Sequence, residues 1–127
     1  MPLSAYLDQK ILEKAFLGVD FTIAARWISV HTDDPGKTGL NEAAGAFYGR
    51  IQITTFTAVD TVGDDKRTRN DTAASVQVNA GTYTHAGLWD AETSGNFLGG
   101  GLLSSPVTLD DGDFVIVDQY NLSVLLD

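Results

Sequence analysis

Cysteine is absent from the 127 residues, so neither a disulfide framework nor a thiolate metal site exists and the redox compartment stays open. Positive charge is scarce: eight Lys and Arg stand against seventeen Asp and Glu, for a formal net charge of −9. Phosphate backbones and anionic lipid surfaces both require a basic face, so neither nucleic acid nor a membrane is expected as a partner. Solubility and colloidal repulsion are the simpler consequences of that charge. Long apolar runs are missing too, and none approaches the roughly 20 residues that cross a bilayer. Met1, Pro2 and Leu3 supply no basic leader, and Asp8, Lys10, Glu13 and Lys14 interrupt any apolar stretch of a secretion signal. Synthesis in a cytoplasm is the expectation.

Signatures of chemistry are equally thin. The two histidines, His31 and His85, lie far apart in the chain, each inside a strand pattern. A metal site would have to pair them with Asp33 or Asp90, and no two of these share the spacing of a metal motif. Both are read as hydrogen-bonded structural histidines. No Gly-x-Ser-x-Gly elbow occurs, and no glycine-rich loop leads into a helix to cradle phosphate. Asp110, Asp111 and Asp113 supply hard oxygen donors that suit calcium, but the spacing of a full calcium loop is missing, so they are read as an acidic turn. No catalytic residue, cofactor or metal ion is expected.

What is present is one helix followed by β sequence. Leu3, Leu7 and Ile11 fall four apart, with Leu12, Ala15 and Phe16 alongside, while Asp8, Lys10, Glu13 and Lys14 fall elsewhere. This predicts an amphipathic helix over about residues 3–17, capped by Ser4 and stopped by a left-handed Gly18. Trp27, Ser29 and His31 then alternate with Ile28, Val30 and Thr32, giving a strand with two usable faces that Asp33-Asp34-Pro35-Gly36 ends. Residues 37–45 read as a surface excursion and 47–58 as a second strand. Residues 60–71, holding Lys66, Arg67 and Arg69, read as a charged solvated connection. Val76 and Val78 mark a strand that Asn79-Ala80-Gly81 turns back into residues 83–89 as a hairpin. Residues 90–96 are a loop, and 97–103 form a strand whose Gly99-Gly100-Gly101 signals a bulge or close backbone approach. Residues 106–109 lead to the Asp110–Asp113 corner, and 114–117 and 122–126 are the last strands. The predicted architecture is mainly β: a single domain over residues 1–127, an antiparallel, jelly-roll-like sandwich of about seven strands with one N-terminal helix.

Trp27, Trp89, Tyr48, Tyr83 and Tyr120 could stack on sugars, but Ile28 and Leu88 beside the tryptophans favour core or interface packing. Lys66, Arg67 and Arg69 could dock an acidic neighbour. The helix is the strongest non-core feature, because a sandwich does not need it to close its sheets. Its apolar stripe must cover either its own sheet or a neighbouring subunit.

Several segments together carry a family resemblance. They are Leu3-Ser4-Ala5-Tyr6-Leu7 with Lys10-Ile11-Leu12, Trp27-Ile28-Ser29-Val30-His31-Thr32 running into Asp33-Asp34-Pro35-Gly36, Asn41-Glu42 with Gly45, Tyr48 and Arg50, Thr84-His85-Ala86-Gly87-Leu88-Trp89-Asp90-Ala91, and Gly112-Asp113. Across nearly its whole length the chain resembles small bacteriophage virion proteins often labelled tail fibre-like. The charged stretch 64–71, and Leu88 where that family's strand carries isoleucine, are modest departures.

The resemblance implies a non-enzymatic virion component made in the host cytoplasm. A compact sandwich without a coiled or β-helical shaft suits a capsid decoration or cement protein. A tail fibre-like appendage, with or without host carbohydrate binding, is the alternative. The expected partners are the chain itself, as a homotrimer, and other virion proteins such as the major capsid or tail proteins. Leu3, Tyr6, Leu7, Ile11 and Phe16 are the candidate interface.

Overall fold

The computed structural model describes residues 2–126. Helix α1 spans Ala5–Leu17; Ser4 Oγ accepts from the Leu7 amide at 3.0 Å, and Gly18 ends the helix at φ 69°. Both caps follow from residue chemistry: a short hydroxyl takes an orphan amide, and only glycine enters the left-handed region without cost.

Nine strands follow: Trp27–His31 (β1), Ile51–Gln52 (β2), Asp60–Val62 (β3), Asp65–Arg69 (β4), Ala74–Gln77 (β5), Gly81–Trp89 (β6), Phe97–Leu109 (β7), Phe114–Val117 (β8) and Ser123–Leu126 (β9). They form three antiparallel sheets with orders β2-β1-β6-β7, β3-β4-β9 and β5-β8. The fold is mainly β, sandwich-like, with the single helix at its start.

The core lies against one face of the largest sheet. Ile28, Val30, Ala86, Leu88 and Leu98 meet Val76 of β5, Val115 and Val117 of β8, and Ile53, Val78 and Leu122. Each Val, Leu and Ile among them contributes about 1.5–3 kcal/mol by leaving water. Asn70, fully buried at the end of β4, spends its whole amide on backbone. It donates to the Thr72 and Asp118 carbonyls and accepts from the Leu122 amide, so β4 is tied to the β8–β9 connection.

Several expectations from the sequence are corrected. Residues 47–58 are not one strand. Ile51 and Gln52 pair with β1 and Ile53 donates to Arg26, then Thr55 and Thr57 bond to Asp71 and Arg69, so the extended segment crosses from one sheet to the next. That crossing leaves Ile51 exposed and Ile53 buried, although they are two apart. Residues 60–71 are a hairpin, not a solvated loop. Gly63 turns at φ 60°, and Arg67 grips its register partner Asp60 through two hydrogen bonds of 3.0 and 2.6 Å. The segment Asn79-Ala80-Gly81 does not join a hairpin, because β5 pairs with β8 while β6 pairs with β1 and β7. The two segments expected at 97–103 and 106–109 are one strand, β7. His85 faces Leu102 and Tyr83 faces Val107, so residues 103–106 bulge opposite Thr84 and accommodate Pro106 where no ladder amide is needed. Close approach, the other expectation for the glycines, also occurs: a Cβ on Gly99 would stand 2.5 Å from the Pro2 carbonyl oxygen.

Candidate functional site

The second face of β1 is not left to solvent. Ser29 and His31 are fully buried, and Trp89, Gly87 and His85 stand opposite Trp27, Ser29 and His31 in register. Residues 33–50 fold over this face, among them 37–45, which the sequence reads as a surface excursion, with Pro35 buried and Ala43 bonded to the Val30 carbonyl. A directed chain of hydrogen bonds fills the space. Trp89 Nε1 donates to Ser29 Oγ at 2.9 Å, Ser29 Oγ meets His31 Nε2 at 2.8 Å, and His31 Nδ1 meets the Leu40 carbonyl at 2.7 Å. Because a carbonyl only accepts, the proton sits on Nδ1 and Nε2 accepts from Ser29.

Arg50 clamps the loops beside it. Its guanidinium donates to both Glu42 oxygens at 2.8 Å and to the Ala91 and Ser94 carbonyls at 2.8 Å, and lies 3.9 Å from the centre of the Trp89 ring. Tyr48 donates to Glu42 at 2.6 Å. Burial works to raise the Glu42 pKa, and the bonds from Arg50 and Tyr48 overcome it, leaving the carboxyl below its usual range. Burial and the bond to Glu42 push the Tyr48 phenol well up. Every polar group here is spent on another, which makes the cluster a staple for loops.

Burial also holds His31 below its ordinary 6.5, with the Leu40 carbonyl opposing. The unfolded chain therefore takes up a proton below pH 6.5 that the folded chain refuses, and stability falls as the pH drops through that point towards the lower folded value. The urea midpoint is expected to decline between about pH 7 and pH 5; a flat profile there would contradict the neutral, buried role of His31.

The remaining polar candidates are occupied in the same structural way. Asp113 accepts from the Asp110 amide and Asp111 from the Ala80 amide, so the acidic corner bonds its own backbone and that of the β5–β6 connection. Asp33 accepts from the Asp34 amide, and Asp90 accepts from the Asn96 amide and side chain. Tyr83 is buried and donates to the Asn79 carbonyl, Trp27 and Tyr48 are half-buried, and Tyr120 keeps an exposed ring beside Arg69. Lys66 donates to Thr61 within the β3–β4 hairpin.

The helix divides the expected interface residues. Leu3 bridges to Gly99 of β7, and Leu3 and Leu7 line an apolar groove of about 460 Å³ with Ile23, Phe56, Leu98 and Val124. Tyr6 and Leu7 pack against the core, Ile11 is half-buried, and Phe16 is 78% exposed. None of the residues in α1 is buried, and beyond its first turns Leu12, Leu17 and Val19 stand exposed with Phe16. The sequence expectation that groups Leu12 and Phe16 with Leu7 and Ile11 is corrected: at 3.6 residues per turn Leu12 and Phe16 lie roughly 140° and 180° around the helix from Leu7, so Tyr6, Leu7 and Ile11 face the body of the protein while Leu12 and Phe16 face water.

No curated protein matches the chain. A family model described as Podophage GP4 fiber I protein gp80 matches residues 2–125. The chain therefore belongs to that family and is a phage virion structural protein of tail fibre-like type.

Proposed function

We propose that the protein is a non-enzymatic subunit on the outside of the phage particle, joining copies of itself and neighbouring virion proteins through the outer half of α1. One observation carries this: Phe16 and Leu17 are 78% and 74% exposed on a helix that buries none of its residues in its own chain. An apolar helical face held in water is costly unless a partner covers it. A place in a tail fibre assembly fits the family description. Capsid decoration is the second reading, favoured by the shape of the chain: its longest elements are a helix and a strand of 13 residues each, far from a fibre shaft. In either place a homotrimer multiplies weak contacts into firm attachment.

Labelling the protein on intact particles decides between the readings, since fibre assignment predicts signal at the tail and decoration predicts signal over the head. Phe16→Asp tests the surface itself. The exposed position leaves the melting temperature within a few degrees of wild type, while self-association and incorporation into particles drop at least about tenfold. Unchanged incorporation would remove α1 from the interface.

A further inference from the structure

The sandwich opens between the unpaired edge strands β7 and β8, and again beneath the start of α1. No charged side chain lines the first opening. The second, the groove of about 460 Å³, has Arg26 in its wall. Its lining joins Leu7 of α1 to Leu88 of β6 and Leu98 of β7, and to Thr68 of β4 and Val124 of β9. Arg26 and Thr68 supply its polar side chains, and the rest of the wall is hydrocarbon and glycine. Every lining residue is buried or half-buried, so the groove is recessed and no side chain in it stands out to meet a flat protein surface. Its volume falls in the range of roughly 300–1,000 Å³ that small-molecule sites occupy.

Arg26 differs from the other cations of the chain. Lys10, Lys14, Lys37, Arg50, Arg67 and Arg69 each meet a carboxylate, and Lys66 donates to Thr61. The Arg26 side chain has no carboxylate and no hydrogen-bond acceptor among the described residues, in a chain where acids outnumber cations seventeen to eight. It lies 5.6 Å from the centre of the Phe56 ring, and its Nε is buried without an acceptor. Arg69 has a bare Nε too, but its guanidinium already faces Asp60 and Tyr120. Contact with a ring uses the face of a guanidinium and leaves its N–H edge, the edge that grips a carboxylate through two parallel bonds. A buried N–H without an acceptor is costly, and an anion in the groove supplies one.

We infer that the groove beneath α1 binds an aliphatic carboxylate, its hydrocarbon chain lying along Leu7, Leu88 and Leu98 and its carboxylate held by the Arg26 guanidinium. The wall selects this chemistry on two counts. One cation suits one negative charge, and hydrocarbon elsewhere leaves the hydroxyls of a sugar or the ring polar groups of a nucleotide without partners. The site is separate from the outer half of α1 and stands whether or not that surface joins copies.

The test titrates the full chain at neutral pH with octanoate and, separately, with 1-octanol, following heat by calorimetry. The net charge of −9 repels anions in general, so preference for the carboxylate over the neutral alcohol requires a local cation. The expected result is one octanoate per chain, bound at least about tenfold more tightly than 1-octanol. Arg26→Gln should bring octanoate down to the level of the alcohol and leave the alcohol within about twofold of its wild-type affinity. The comparison of the two ligands needs wild-type protein alone, so it decides the matter even where the variant folds poorly. Equal affinity for octanoate and 1-octanol would overturn the inference, because the groove would then be an apolar space that Arg26 does not serve. Octanoate binding untouched by Arg26→Gln would overturn it by placing the ligand elsewhere, and so would binding of neither compound.

Discussion

Arg50→Ala is expected to destabilise the fold by about 3–5 kcal/mol, the cost of leaving one member of a buried ion pair without its partner. For a chain of this size the melting temperature falls by roughly 10–20 °C. The Arg50 side chain is only 7% exposed, and its removal leaves the Glu42 carboxylate with the Tyr48 hydroxyl and no counter-charge, and strips the Ala91 and Ser94 carbonyls and one face of Trp89 of their partner. Arg50→Lys should recover little, because a single ammonium cannot grip both Glu42 oxygens and still reach two carbonyls. The pH dependence supplies a second readout. Without Arg50, burial raises the Glu42 pKa, so acid neutralises the stranded carboxylate and the deficit relative to wild type shrinks as the pH falls. A melting temperature unchanged by the substitution would mean that the clamp contributes nothing to holding the loops.

The second large effect is expected at Gly87. A Cβ there would lie 2.8 Å from each of His31 Nε2, Ser29 Oγ and the Phe97 ring. All three belong to buried residues already fixed by hydrogen bonds or ring contacts, so none yields cheaply. Gly87→Ala therefore overpacks the covered face of β1 and parts Ser29 from His31, at a cost of about 2–4 kcal/mol. Thermal melting and the environment of Trp89, read by its fluorescence, should shift together. A variant as stable as wild type would show that residues 33–50 rest loosely on the sheet.

Much of the fold was legible locally. Helix α1 was, because its two stops are chemical: Ser4 takes an amide, and Gly18 turns left-handed. Strand β1 was, because alternation and the Asp33-Asp34-Pro35-Gly36 stop are properties of adjacent residues. What alternation could not show is that both faces of β1 are covered; that depends on where residues 33–50 travel. The misread hairpin at Asn79-Ala80-Gly81 has the same origin. A turn motif permits reversal, but the partner of β5 was decided by Val115 and Val117 of β8 reaching the core beside Val76. The charged stretch 60–71 hid a hairpin because its register rests on the pair Asp60 and Arg67, a contact across the strands that no periodicity reveals.

For the assembly surface the division is similar. Spacing predicted the helix, and the helix formed. Of the apolar residues grouped there, Leu7 and Ile11 share the side that meets the chain's own body, whereas Phe16 lies roughly half a turn around from Leu7 and stays in water.

By itself the sequence determined a β-rich acidic chain without cysteine, a capped helix at its start, and kinship with phage virion proteins. These rest on composition, on neighbouring residues, and on the order of motifs along the chain. Only the tertiary structure decided that His31, Ser29, Trp89, Glu42 and Arg50 form one staple and that the sandwich stays open between β7 and β8. Those outcomes depend on contacts between residues far apart in the chain, and burial free energy is settled only when such surfaces meet.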